Sequence, residues 1–331
     1  MRFQNTIIIL FFIFIGCNYT NEYNPIEIKL SEEFSIKDAE YSGLVFANEE
    51  LLLLPQFPNR FSGHMGGNIL SIPKEKIEHY ILDKIKEPIK PRKIGFNDDG
   101  ISKTISGFEG FEAIVVVGDS VYLTIEAKEG EGRLGYIVWG KADWEKGEIH
   151  LDQSSVKKIQ SNLFMSQMSF ESLVKWNNFL VAIYEANGLE ITHSPQAIVF
   201  DLELNHLYNI PIPNIEYRLT DATSISKDGF FWVINYFYPE EHRLKPAIDP
   251  IAERFGKGET HAKENTVERL VQFSFKNGKM IFGPKPPVQL SLNAGIARNW
   301  EGIEILDNYG FLIISDTYPR SLFSFVPFEF R

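Results

Sequence analysis

With 331 residues, 44% of them hydrophobic and 14% aromatic, the chain can bury a sizeable core in one or two domains. A net charge of −11, with acids spread along the chain and no basic stripe, argues against nucleic acid as a partner. The single cysteine, Cys17, rules out an internal disulfide, so packing must hold the fold.

Met1-Arg2 gives a short positive start, Thr6 to Ile15 is an apolar run, and Gly16 precedes Cys17. This order resembles a bacterial lipoprotein signal peptide over 1–16, with Cys17 lipid-modified after cleavage. The run is too short for a membrane span, which needs about 20 apolar residues; a buried structural cysteine is the other reading. Residues 17–24, polar and tyrosine-containing, read as a lipidated tether. The expected location is the bacterial cell envelope, periplasmic or surface-exposed, with the membrane as partner through the lipid. The body, 25–331, reads as one domain and a monomer.

Structure is expected from Pro25, where Ile26-Glu27-Ile28-Lys29-Leu30 alternates as a strand with no nearby hairpin partner. A repeated pattern then organises the chain: an aromatic residue, a polar or acidic one, a small one and an aliphatic one, followed by a turn and a second apolar strand. It occurs at Tyr41-Ser42-Gly43-Leu44, Phe111-Glu112-Ala113-Ile114, Phe170-Glu171-Ser172-Leu173 and Trp300-Glu301-Gly302-Ile303, and less cleanly at Thr220-Asp221-Ala222-Thr223. Fourteen places after each polar residue another one ends the second strand: Gln56, Glu126, Glu185, Asn235 and Ser315, the last beside Asp316. Both polar positions therefore fall at one edge of each hairpin. Between Phe230-Phe231-Trp232-Val233-Ile234 and Arg269-Leu270-Val271 lies a long inserted loop, 237–268, on that same edge. The last hairpin is followed only by Leu322 to Val326, one strand short, and the N-terminal strand can fill the gap. The fold this predicts is all-β: a five-bladed β-propeller of four-stranded antiparallel blades, closed by the N-terminal strand.

In that fold Ser42, Glu112, Glu171, Asp221 and Glu301 meet on one axis. Two carboxylates about 6 Å apart repel by roughly 2 to 3 kcal/mol at an effective dielectric near 20, so such a ring needs protons or a cation. Oxygen-only donors without histidine point to Ca²⁺ before Mg²⁺ or Zn²⁺. The alternative is that the acids bind backbone N–H groups of neighbouring blades and hold no metal. The position of Asp221 is the loosest, because a slip of two would substitute Thr223 or Ser224.

Above the ring, Glu126 and Glu185 are candidate bases, Asn235 and Asp316 candidate substrate contacts, and Arg60, Arg133, Arg243 and Arg320 candidate clamps for a small anionic ester. His64, His193 and His242 are further conceivable bases. No Gly-x-Ser-x-Gly elbow, phosphate-cradling glycine loop or His-Glu-x-x-His helix occurs.

Thr220-Asp221-Ala222-Thr223, Asp228-Gly229-Phe230-Phe231-Trp232, Asn299-Trp300-Glu301-Gly302 and Ile314-Ser315-Asp316 together resemble the "esterase-like activity of phytase" family of bacterial extracytoplasmic propellers. The resemblance is best from Tyr217 to Phe328 and departs at Thr317 and Tyr318, where that family often has Asp or Asn. It implies ester or phosphoester hydrolysis. The hairpin starts are also similar to the calcium-activated nucleotidase (apyrase) family, a likeness that implies one channel calcium and puts Ser42, Glu112, Glu171 and Glu301 on ligand positions. Asp221 stands where that family has a serine, and its nucleotide-contacting residues are missing here. The expected function is a lipid-anchored, calcium-binding, metal-dependent hydrolase of a phosphate or other ester; a non-catalytic binding propeller with a structural ion is the alternative.

Overall fold

The computed structural model describes residues 20–63, 65–293, 296–318 and 320–330. Cys17, the signal-peptide reading and His64 lie outside those residues. The chain is all-β, and each expected hairpin forms. Tyr41–Ala47 pairs with Glu50–Pro55, Phe108–Val117 with Ser120–Glu129, and Ser172–Trp176 with Phe179–Ile183. Ile215–Ala222 pairs with Phe230–Phe237, and Trp300–Leu306 with Gly310–Ser315. The first turn shows why the chain reverses where it does: Asn48 and Glu49 both take positive φ, 47° and 61°, the twist a tight hairpin requires.

A third strand adds to each hairpin: Gly67–Pro73, Gly132–Asp143, Gln196–Phe200, Val267–Lys276 and Phe323–Pro327. The last of these receives Ile26–Glu27 in antiparallel register, Ile26 opposite Phe325 and Glu27 opposite Ser324. Strand Glu148–Leu151 runs parallel to Arg92–Asn97 and welds the first two hairpin sets into one sheet of nine strands, beside others of seven, four and four. The first strands of the hairpins stand side by side: Tyr41–Ala47 lies between Trp300–Leu306 and Phe108–Val117, Ser172–Trp176 follows, and Ile215–Ala222 returns to Trp300–Leu306. The core divides into wedges between facing sheets, such as Leu44, Leu53, Leu312 and Ile314 in one and Leu52, Ile94, Ile114 and Leu123 in the next.

Two local features depart from the sequence reading. The end of the first hairpin set is a helix, Lys74–Ile81, whose spacing buries Ile77 and brings Tyr80 and Ile81 onto the same cluster. The tether is already structured at Glu22–Tyr23, which pairs parallel to Gln289 and Leu290. The Glu22 carboxylate accepts from Thr260 N at 2.9 Å and Thr260 Oγ1 at 2.7 Å, so it fastens the inserted loop to the start of the body. That loop carries helix Pro250–Phe255, capped by Asp249, and buries Leu244 and Ile251.

Behind Trp300 sits a fully buried polar knot. Glu268 accepts from the Trp300 indole at 2.7 Å, from Arg298 Nε at 2.9 Å and from Arg298 N at 2.9 Å. Removing one member of a buried ion pair leaves the other uncompensated and destabilises by about 3–5 kcal/mol. Glu268→Ala is therefore expected to lower the denaturant midpoint by an equivalent amount; a loss under about 1 kcal/mol in equilibrium urea melts is inconsistent with this network.

Candidate functional site: a carboxyl cluster around Arg218

The polar residue at the start of each hairpin sits at an irregularity in the ladder. Ser42 lies between the pairs Tyr41–Pro55 and Gly43–Leu54, Glu112 between Phe111–Ile125 and Ile114–Leu123, and Glu301 between Trp300–Ser315 and Gly302–Ile314. Glu171 immediately precedes Ser172, the first residue of its strand. A bulge turns one extra side chain out of the alternation, which is how each acid leaves the sheet while its neighbours stay in the core.

The fourth hairpin corrects the expected register. Its bulge lies between Leu219–Asn235 and Ala222–Val233, so Thr220 follows the last paired residue as Glu112 and Glu301 do, and Asp221 comes one place later. The hydroxyls confirm the equivalence: Ser42 Oγ donates to Phe111 O at 2.7 Å and Thr220 Oγ1 to Trp300 O at 2.5 Å, each to the residue before the next acid. Asp221 is buried and accepts from Ile303 N of the adjacent strand at 2.8 Å. It therefore ties two hairpins together through backbone N–H groups and leaves the acid ring. Burial pushes its carboxyl well above the usual range, against those backbone bonds.

The remaining acids form one electrostatic unit. Glu112 accepts from Gln56 Nε2 at 3.1 Å, and Glu126 from Arg133 Nε at 3.0 Å. Glu185, fully buried, is bound by Arg218, which also lies 3.3 Å from Glu171 Oε1, 3.7 Å from Glu301 Oε1 and 3.5 Å from Glu241 Oε1 of the inserted loop. Asn299 donates to Glu301 and reaches Asp316 at 3.5 Å. Burial first, and mutual repulsion second, raises Glu112 and Glu171 well above the ordinary carboxyl range. In Glu301 burial likewise wins over the opposing pull of Arg218. Glu126 is lifted to about 7 by burial and by the charge of Glu185, with Arg133 opposing. Arg218 stays charged because the surrounding carboxylates outweigh the effect of its burial.

Arg218 was absent from the sequence reading, which began this unit at Thr220. The signal was present: Arg218 precedes Thr220 by two, so strand alternation puts both on one face. Several buried oxygens of the cluster have no donor among the described residues: Glu126 Oε2, Glu171 Oε2, Glu185 Oε2, Ser169 Oγ and Asn299 Oδ1. All but the Ser169 hydroxyl, which can also donate, are carboxyl or amide oxygens that accept, so positive charge or hydrogen-bond donors between them would satisfy them. No three Asp, Glu, His or Cys groups among the described residues are already gathered as a coordination shell.

The other expected contacts divide between the edge of the cluster and places away from it. Asn235 is buried scaffold, donating to Glu216 O at 2.8 Å and accepting from Arg269 Nε at 2.8 Å. Arg60 pairs with Glu40 and lies 4.4 Å over the Phe57 ring, Arg133 is shared by Glu126 and Glu109, and Arg320 grips Glu27 at 2.8 and 2.9 Å. Each of these guanidiniums already has a carboxylate partner. Arg243 is exposed and has no partner among the described residues, and His193 and His242 are exposed. Asp316 is half-buried at the edge of the cluster.

No family model matches the sequence, and no curated protein matches it. Solved structures with a similar course of chain include an α-L-arabinanase variant from Cellvibrio cellulosa, at 8% identity over 86% of this chain and 90% of that one, TM-score 0.47. An α-L-arabinofuranosidase from Clostridium thermocellum aligns at 11% identity over 87% and 83%, TM-score 0.44. The α-L-arabinofuranosidase catalytic domain of Coprinopsis cinerea aligns at 6% over 92% and 97%, TM-score 0.47. At such distance the chemistry has to come from this chain's own side chains.

Arg218→Met is expected to expose the electrostatics directly. Without the guanidinium the folded-state pKa values of Glu171, Glu185 and Glu301 rise further above their unfolded values, and a carboxyl raised in this way loses stability as pH climbs through its folded pKa. The variant should approach wild-type stability near pH 4.5 and fall short by about 3–5 kcal/mol at pH 8. A deficit that is flat across that range in pH-dependent melts contradicts the assignment.

Proposed function

We propose that the carboxyl cluster is the reaction centre of a hydrolase at the mouth of a five-bladed propeller channel, acting on an uncharged ester or acetal bond. The observation that carries this is a pair of neighbouring buried acids held by different cations, Glu126 by Arg133 and Glu185 by Arg218. Glu126, with a pKa of about 7, is poised to hold or release a proton at neutral pH, while in Glu185 close by the ion pair to Arg218 opposes the rise that burial causes. In the reaction the protonated carboxyl gives its proton to the leaving oxygen as the bond breaks. The ionised one takes a proton from the attacking water, whose oxygen stays on the other fragment. Glu126 suits the first role and Glu185 the second, with Arg218 holding the latter's charge and Asp316 at the entrance.

The substrate is uncharged on this reading because carboxyls outnumber guanidiniums at the mouth and three of the four expected clamp arginines are already paired. A divalent cation, calcium by its all-oxygen donors, belongs to the same proposal. The orphaned glutamate oxygens and the matched positions of Ser42, Glu112, Glu171, Thr220 and Glu301 support it. Such an ion would neutralise the excess acid and stiffen the ring. A lipid on Cys17 would hold the body at the cell envelope.

Activity is read on chromogenic phosphates, carboxylic esters and glycosides. Turnover is expected only on the uncharged substrates, with Glu126→Gln and Glu185→Gln each reducing kcat by about 10²–10⁴-fold and Glu126→Gln removing the pH limb near 7. Substrates left untouched, or hydrolysis indifferent to both variants, would falsify the reading. The ion is tested separately by calcium titration in melting experiments: it should raise the wild-type Tm and leave a Glu112→Gln, Glu301→Gln double variant nearly unmoved. Equal Tm with and without calcium in the wild type rejects the ion.

A further inference from the structure

Beside the carboxyl cluster, between the first two hairpin sets, lies a pocket of about 540 Å³. That is within the size range of small-molecule sites, about 300–1,000 Å³. Its wall is a run of phenyl rings in edge contact: Phe57 to Phe108 at 6.2 Å, Phe108 to Phe111 at 5.2 Å and Phe111 to Phe96 at 5.3 Å between centroids. Phe96 and Phe111 are buried and form the floor; Phe57 and Phe108 are half-exposed and offer ring surface to the cavity.

The rest of the lining includes polar side chains. Asn59, Asp98, Ser102 and Lys103 border the space. The side chains of Asn59 and Lys103 are exposed, and neither they nor the Ser102 hydroxyl has a hydrogen-bond or ion-pair partner among the described residues. Asp98 accepts from Gly100 N at 3.1 Å and Ser102 N at 3.0 Å, one bond on each oxygen, which leaves a lone pair on each. Free donors and acceptors thus share a cavity of ligand size with phenyl surface.

The pocket adjoins the cluster. Gln56, next to Phe57, donates to Glu112, and Phe111 N donates to Gln56 O at 3.0 Å. The Gln56 side chain lies over Gly110, which has a φ of +140° and no room for a Cβ. Pocket and acids thus adjoin through Gln56 beside Phe57 and through Phe111 beside Glu112, and Gly110 leaves the room that the Gln56 side chain occupies.

We propose that this pocket is a subsite for a sugar residue, and that the polymer or oligomer it belongs to is the substrate presented to the carboxyl cluster. A pyranose or furanose ring has an apolar C–H face for Phe57 or Phe108 and a girdle of hydroxyls that both donate and accept, matching Asn59, Asp98, Ser102 and Lys103. An aryl or acyl group would satisfy the rings and leave the polar wall unmatched. A free carboxylate ligand would use Lys103 and meet Asp98. The assignment of substrate rests on the hydrolase reading; the binding assignment stands independently of it.

The test is binding of xylohexaose, maltohexaose and arabinohexaose to the full chain, by isothermal titration and saturation-transfer NMR, with 2-naphthoate as the aromatic control. At least one hexasaccharide is expected to bind with Kd below about 1 mM, and Asn59→Ala and Lys103→Ala should each weaken it by about 3- to 10-fold. Phe57→Ala should do the same or more, and the two exposed polar positions keep the test valid if that variant folds poorly. The proposal is overturned if none of the sugars binds, if binding ignores these variants, or if 2-naphthoate alone occupies the pocket. Sugar binding without cleavage of any glycoside or ester removes the hydrolase reading and leaves the subsite, whereas cleavage without sugar binding does the reverse.

Discussion

Buried negative charge is the constraint around which this molecule is built. Glutamates at equivalent points of separate hairpins converge, and repulsion among them at short range and low dielectric would open the ring unless something offsets it. Arg218 does part of this from within the chain, bridging Glu185, Glu171 and Glu301 and reaching Glu241 of the inserted loop. The rest is met by protons, since the carboxyls are raised, or by a bound cation. The same balance keeps Glu126 titrating near neutrality beside Glu185, where burial raises the carboxyl and Arg218 opposes the rise, a useful condition for moving protons.

The bulges translate this electrostatic problem into backbone. A regular strand would alternate each acid between core and sheet face; the irregularities at Ser42, Glu112 and Glu301 let the polar side chain leave the pattern while the aromatic residue before it remains buried. In the fourth hairpin the extra residue allows two functions in sequence. Thr220 supplies the hydroxyl tie to Trp300 O, and Asp221 holds Ile303 N. The hydroxyl positions and Asp221 thus act as seams between neighbouring sheets, and the glutamate positions carry the charge.

The inserted loop belongs to the site as much as to the scaffold. Its start places Glu241 beside Arg218, and its end is pinned by Glu22 through Thr260 and by the pair of Asp249 with Arg269. The chain's first described strands are thereby coupled to the cluster: Glu22 fastens the loop, and Ile26–Glu27 complete the last hairpin set, where Glu27 holds Arg320.

The sequence determined the all-β class, the hairpins and the convergence of Glu112, Glu171 and Glu301, because strand alternation and spacing are local properties that survive without knowledge of the fold. It also held the N-terminal strand's place beside Phe325, since an unpaired strand and a missing one imply each other. What it could not resolve was a shift of one residue: Thr220 and Asp221 are adjacent, both polar, and only the ladder beyond them shows which one faces the ring. Nor could it tell which cations are free, because the partners of Arg60, Arg320 and Arg218 lie 20, 293 and 33 residues away in the chain. Pairing of charges is a matter of distance in space, and tertiary structure alone decided it.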